Sequence, residues 1–317
     1  METLSKAINE KRNIKPNSLK AYLISIKKLN EFVTKKEFTD LDFLKTIADV
    51  DIYLRKLKLA TQKNYLAAVV VSLDAMNNEG RYTDLLVEYR TLLDEINGKF
   101  VEDYENGEKS KKQKENWTTI KELVKVMNAY LADIKDRELL KQETLNKKQM
   151  ALMQKWVIAN LFLNKENPPT RLDYAPMEII NKADYDKLEA DEKKNNNYLV
   201  ITSRNNKTFS FNEYKTSGKY GENNIKVGKK LNSVINIWLK FNKTDSLLLN
   251  TQGNPLSANG FGKEIKKTFE PTGKNISVNM LRHIYISEKY PNQTEEKDKD
   301  AKLMGHSVST QTQYSKK

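Results

Sequence analysis

Toward the end of the chain stand Leu281-Arg282-His283, then Met304-Gly305-His306-Ser307, then Tyr314, eight residues after His306. The chain has only two histidines and eight arginines, so both histidines and one arginine in a single run form a pattern rather than scatter. Their chemistry converges on one kind of substrate. A tyrosine serves as a covalent nucleophile, and the charge that develops on an attacked phosphate calls for fixed Arg, Lys or His donors around it. Guanidinium suits that task because its planar fork meets two phosphate oxygens at once and keeps its charge at physiological pH. A free phenol titrates near about 10, so an attacking Tyr needs its developing charge supported.

These residues resemble the C-terminal signature of the tyrosine recombinases, the phage integrase family. In Asn279-Met280-Leu281-Arg282-His283 the resemblance makes Arg282 the second phosphate-clamping arginine. Asn279 stands where the family has a catalytic histidine; an amide can donate to a phosphate oxygen but exchanges no proton near neutral pH. His283 is expected to face the domain interior. His306 matches the family's Leu-Gly-His box, with Met304 in place of the leucine, and Gly305 permits a close backbone approach. Ser309-Thr310-Gln311-Thr312-Gln313-Tyr314 resembles the Ser-Thr-x-x-x-Tyr run that ends in the nucleophile.

Two further residues are placed by the same resemblance. Arg171, in Pro168-Pro169-Thr170-Arg171-Leu172-Asp173-Tyr174, takes the position of the first phosphate-binding arginine. Tyr174 stands where the family has an acid, with Asp173 one place early. Lys215, in Lys215-Thr216-Ser217-Gly218 after an aromatic-rich strand, takes the place of the lysine that acts as general acid toward the leaving 5′ oxygen. Nine Lys and Arg against two acids between Ile201 and Lys243 make Lys219, Lys226 and Lys229 competitors for that role and candidate DNA contacts.

The elements that must position these groups are legible in the periodicity. Leu19, Tyr22, Leu23, Ile26, Leu29 and Val33 mark one buried helix face, with Ser18 as its expected cap. Further helical stretches follow Thr61 and run from Leu85 to Gly98, an expected stop. Residues 102 to 115 are charged and aperiodic and read as an exposed linker. Helical patterning resumes at Trp117 and again through Met150 to Leu163, where Asn167-Pro168-Pro169 must end it. Then Tyr198–Thr202, Thr208–Phe211 and Ile225–Val227 read as short strands of a small antiparallel sheet, followed by helices over Leu231–Phe241, Gly260–Phe269 and Met280–Tyr290. The expected fold is therefore mainly α with a small antiparallel sheet, in two domains: a helical DNA-clamping domain over 1–101, a linker over 102–115, and a mixed α/β catalytic domain of tyrosine-recombinase type over 116–317.

Composition narrows the alternatives. The formal charge of +13 and a pI near 9.4 suit a polyanionic partner. With no cysteine, disulfides and thiolate metal sites are excluded, which is compatible with a reducing compartment, and two histidines argue against a zinc cluster. The start lacks the apolar core of a secretory signal, and no run approaches the ~18 apolar residues of a membrane helix, so a soluble protein is expected. Gly260-Phe261-Gly262-Lys263 is not a phosphate loop, and Asp184-Tyr185-Asp186-Lys187-Leu188-Glu189 reads as a solvated face.

The resemblance implies an enzyme that cuts and rejoins duplex DNA through a 3′-phosphotyrosine, with no metal, nucleotide or other cofactor. It would close on paired half-sites and act as a homotetramer on DNA. Three other readings share these residues: a type IB topoisomerase-like enzyme, a telomere resolvase, and a DNA-binding protein with a decayed site. Three residues follow Tyr314, whereas many relatives continue into a segment that docks on a neighbouring subunit; subunit coupling through other surfaces, or a longer chain, is expected.

Overall fold

Apolar residues at three- and four-residue spacings become helices through most of the chain. The computed structural model describes residues 1–12, 14–105, 108–164, 166–290, 300–301, 303–305 and 314–315. Two units emerge, Met1–Asn106 and Gly107–Lys317.

The first unit is all helical: α1 (Glu2–Lys11), α2 (Pro16–Thr34), α3 (Ile47–Leu54), α4 (Leu59–Met76) and α5 (Thr83–Glu105). Pro16 opens α2 ahead of Ser18, because a first-turn proline gives up no helical hydrogen bond and its φ is already helical. Helix α4 is buried along Tyr65, Leu66 and Ala68–Leu73, with α1, α2 and α5 packed around it. On α4, Asp74 ties two neighbours together, accepting from Arg12 at 3.0 Å and pairing with Arg90 at 3.6 Å. Helix α5 runs on through Gly98, the expected stop; a mid-helix glycine costs about 1 kcal/mol relative to alanine without ending the helix. The expected linker is thus helical at both ends, in the last residues of α5 and in α6 (Lys111–Asn116), where Ser110 and Gln113 form a reciprocal capping box.

The second unit continues with α7 (Ile120–Asp136), α8 (Lys147–Leu163), β1 (Glu178–Asn181), α9 (Lys182–Lys187), α10 (Ala190–Asn195), β2 (Tyr198–Ser203), β3 (Asn206–Phe211), α11 (Ser217–Tyr220), β4 (Asn223–Lys226), α12 (Lys229–Phe241), α13 (Ala258–Thr268) and α14 (Val278–Lys289). Its core gathers Trp156, Phe162, Tyr174, Phe209, Trp238, Phe261 and Leu281. The sheet order is β1-β2-β3-β4. Strands β2, β3 and β4 pair antiparallel as expected, but β1 joins β2 in parallel, Ile179 opposite Leu199. The sheet is therefore mixed and four-stranded rather than purely antiparallel. Four residues with exposed ends give β1 no alternation to read, and the α9–α10 crossover supplies the length a parallel connection needs. The acidic run of α9 lies on an exposed face, with Lys187 bonded to Asp184 at 3.1 Å. Among the described residues no helix is long and apolar enough to cross a membrane.

Candidate active site

The site begins where α8 stops. Pro168 and Pro169 bar a helix beyond Leu163, and the buried Asn167 fixes the chain that follows. Its Nδ2 donates to the Lys226 carbonyl at 3.1 Å and its Oδ1 accepts from the Gly228 N–H at 3.3 Å. Tyr174 then turns into the core, edge-on to Phe162, Phe209 and Phe211 with centroids 6.0, 5.0 and 5.5 Å away. That anchor points Asp173 the other way. The Asp173 carboxylate accepts from the Arg171 N–H at 3.2 Å. Burial raises the Asp173 pKa, and the positive charges of Arg171 and Arg282 oppose that rise. The charges of Arg171 and Arg282 act on Asp173, while Tyr174 beside it is a core aromatic.

Helix α14 supplies the second arginine. Ser277 caps it by accepting from the Met280 N–H at 3.3 Å, and Asn279, Arg282 and His283 follow at helical spacing on one side. Asn279 is exposed in the first turn. Arg282 is fully buried. Burial pulls its pKa down to about 10, with Arg171 adding to the fall and Tyr314 and Asp173 opposing it, so it stays charged at neutral pH. Its guanidinium carbon lies 4.7 Å from the centroid of the Tyr314 ring, a cation–π distance. His283 corrects the expectation of an interior side chain. It is half-exposed and faces Tyr314, its Nδ1 3.0 Å from the Tyr314 carbonyl oxygen and its ring centroid 4.9 Å from the phenol. Ser287 Oγ also donates to that carbonyl, at 3.5 Å.

Gly305 is a junction between segments far apart in the chain. Its carbonyl accepts from Arg171 Nη1 at 3.3 Å and from Thr216 Oγ1 at 2.6 Å. Its φ is +65°, and a Cβ there would meet Tyr214 Cε2 at 3.1 Å, so both conformation and space call for glycine. Just upstream, Asp300 accepts from the Tyr285 hydroxyl at 2.9 Å, from Lys289 Nζ at 2.7 Å and from the Tyr290 hydroxyl. These bonds tie the segment before Gly305 to α14. His306 itself lies outside the described residues.

Lys215 is exposed on the connection from β3 to β4, one residue before Thr216. A second junction beneath it has no counterpart in the motifs. The buried Asn197 amide donates to the carbonyls of Asp173 and Glu213 at 3.1 and 2.9 Å, and accepts from the Asn212 and Glu213 N–H groups at 2.8 and 2.9 Å. It joins the Arg171 turn to the strand end that leads to Lys215. Lys219, Lys226 and Lys229 are exposed at α11, β4 and the start of α12. Lys207, by contrast, is a buried lysine, bonded to the Arg204 carbonyl at 2.7 Å and to the side-chain oxygens of Asn232 and Asn236 at 2.9 and 2.6 Å. Burial lowers its pKa, and it braces the β2–β3 turn against α12. Among the described residues no group of three or more His, Cys, Asp and Glu is placed to hold a metal ion.

A mainly helical chain whose second unit folds a small mixed sheet beside Arg171, Arg282 and Tyr314 has the tyrosine-recombinase fold. A solved structure of lambda integrase, residues 75–356, described as a dimer bound to a COC′ core site, is similar with a TM-score of 0.52 and 14% identity, covering 96% of this chain and 89% of that one. XerA recombinase is matched over 99% of this chain and 92% of its own, at 11% identity and a TM-score of 0.40. No protein-family model matches the chain, and no curated protein matches it.

Proposed function

We propose that this chain is a site-specific DNA strand transferase of the tyrosine-recombinase type. The observation that carries the reading is the placement of the Tyr314 ring 4.7 Å from the buried Arg282 guanidinium, with the charges of Arg171 and Asp173 acting on the same group. On this reading the nucleophile and the cations that stabilise its transition state are neighbours. The similar lambda integrase structure is bound to a DNA core site, and a net charge of +13 suits the same partner here.

On this reading Arg171 and Arg282 clamp the non-bridging oxygens of one phosphodiester. The Tyr314 oxygen attacks phosphorus, forming the O–P bond as the bond to the 5′ oxygen breaks. Lys215 gives a proton to that oxygen, and the phenolic proton leaves to water, since Asn279 accepts none. His306 adds a donor to the phosphate. The products are a 3′-phosphotyrosine and a free 5′ hydroxyl, and attack by a 5′ hydroxyl from a partner duplex rejoins the backbone. Partner exchange calls for paired half-sites and a tetramer on DNA. The lysines contribute salt-sensitive phosphate contacts that position the duplex.

The test is a suicide duplex, nicked just beyond the cleavage site so that the short piece bearing the new 5′ hydroxyl diffuses away after cleavage. The full chain should become covalently attached to the cleaved strand labelled at its 5′ end, and Tyr314→Phe should bind the duplex without forming the adduct. Recombinant joint products from two such duplexes are expected; relaxation of supercoils with no joint product would point to a topoisomerase, and hairpin ends to a resolvase. DNA binding with no adduct at all would favour a decayed site.

A further inference from the structure

The loop from Tyr214 to Gly221 is closed on itself. The Ser217 N–H donates to the Tyr214 carbonyl at 3.1 Å and the Gly221 N–H to the Ser217 carbonyl at 2.8 Å. The Tyr214 hydroxyl donates to the Gly221 carbonyl at 2.9 Å, spanning the mouth of the loop. A loop whose polar groups are turned inward in this way is stiff, and where it docks decides where its side chains stand. Two contacts dock it on Gly305: the 2.6 Å bond from Thr216 Oγ1 to the Gly305 carbonyl, and the Tyr214 ring against the space a Cβ would fill. Lys215 lies between these two contacts in the sequence. Arg171 holds the same carbonyl from another side, at 3.3 Å.

We infer that Thr216 is a positioning residue, whose hydroxyl latches the Tyr214–Gly221 loop to the Gly305 carbonyl and so sets where Lys215 stands relative to Arg171. The inference rests on the strand-transfer reading above. In that reaction the 5′ oxygen takes a proton from the Lys215 ammonium as its bond to phosphorus breaks, leaving a neutral amine. Proton transfer demands hydrogen-bond reach, and small displacements of a catalytic group cost rate steeply. Without the hydroxyl the loop keeps its internal bonds but loses its polar tie to Gly305. Its lysine would then no longer be fixed against the phosphate that Arg171 holds.

The experiment compares single-turnover cleavage of an ordinary duplex with that of a duplex carrying sulfur in place of the bridging 5′ oxygen. A leaving thiolate needs no proton, so a defect confined to the acid vanishes on the sulfur substrate. Thr216→Val is expected to cleave the oxygen substrate on the order of 10-fold slower or worse and the sulfur substrate at the parent rate. Thr216→Ser should restore the oxygen rate, and Lys215→Ala should show the same substrate selectivity as Thr216→Val. Equal slowing of Thr216→Val on both substrates, parent rates on both, or a Lys215→Ala defect that sulfur does not relieve would each overturn the inference. Cleavage of either substrate by Tyr314→Phe would instead remove the strand-transfer reading itself.

Discussion

The guanidinium carbon of Arg282 stands 4.7 Å from the centre of the Tyr314 ring, beneath a surface from which Arg282 is wholly withdrawn. A buried cation against an aromatic ring is costly to fold, and on the strand-transfer reading it is useful for chemistry. Replacing a whole buried ion pair by apolar groups of similar size is often neutral or stabilising, whereas removing one partner leaves the other uncompensated and costs about 3–5 kcal/mol. Arg282→Met, which takes from the buried Asp173 a charge that opposes its desolvation, should therefore lower the melting temperature while slowing cleavage on the order of 10²-fold or more. Arg282→Lys should not recover the rate, because an ammonium lacks the planar fork. Calorimetry beside single-turnover cleavage checks both halves, and a methionine variant that melts like the parent and cleaves like it would contradict both.

His283 touches Tyr314 through both its ring and its Nδ1, so on the strand-transfer reading it holds the main chain of the proposed nucleophile. His283→Ala should slow adduct formation about 10-fold with DNA affinity unchanged in a gel-shift titration. His283→Phe, which keeps the ring contact, should fall between. Parent-like cleavage by His283→Ala would sink this role.

Asp173 gives the reaction a pH signature. Burial lifts its carboxyl above the ordinary value of about 3.9, against the opposing charges of Arg171 and Arg282. The folded chain therefore takes up this proton before the unfolded chain does as pH falls. Stability from this group rises on acidification between the raised and ordinary values, and the charged form detracts from it above them. On the strand-transfer reading cleavage moves the other way, because protonation weakens the acceptor that holds the Arg171 main-chain N–H and so the turn that carries Arg171. The rate should show an acid limb with a midpoint above the ordinary Asp range. In Asp173→Asn that limb should be absent and the neutral-pH rate should sit at the low plateau. A limb that persists in the variant would assign it elsewhere.

Asn197 holds four main-chain groups from two segments. Truncation to alanine leaves them unmatched in the interior, costing about 3 kcal/mol. Cleavage by Asn197→Ala should fall at temperatures where circular dichroism still shows a folded chain, because the Arg171 turn and the Lys215 strand end lose their common tie. An unfolding midpoint equal to the parent's would contradict the bonding.

Much of this was legible in the chain itself. Helical stripes placed α8, α12, α13 and α14 within a few residues, because the apolar residues that set their spacing are the ones each helix buries. The Asn167-Pro168-Pro169 break located the Arg171 turn for a local steric reason. One-residue questions were harder. Whether Asp173 or Tyr174 faces the arginines depends on which of them the aromatic cluster of Phe162, Phe209 and Phe211 captures, and those partners lie far away in sequence. The contacts of Gly305 with Arg171 and Thr216, and the four bonds of Asn197, are tertiary pairings with no local periodicity. Lys207 reads as one more cation of a basic hairpin until α12 brings Asn232 and Asn236 over it. Strand β1 was hidden for a related reason, since a four-residue edge strand carries no alternation and is defined by β2.

The central claim is that Tyr314 becomes covalently bonded to DNA. Trapping the full chain on a suicide duplex, digesting both protein and DNA, and sequencing the nucleotide-bearing peptide by mass spectrometry tests it directly. The account predicts a 3′-phosphonucleotide on the peptide containing Tyr314, with none in Tyr314→Phe. A nucleotide on any other residue, or an adduct that survives Tyr314→Phe, would contradict it.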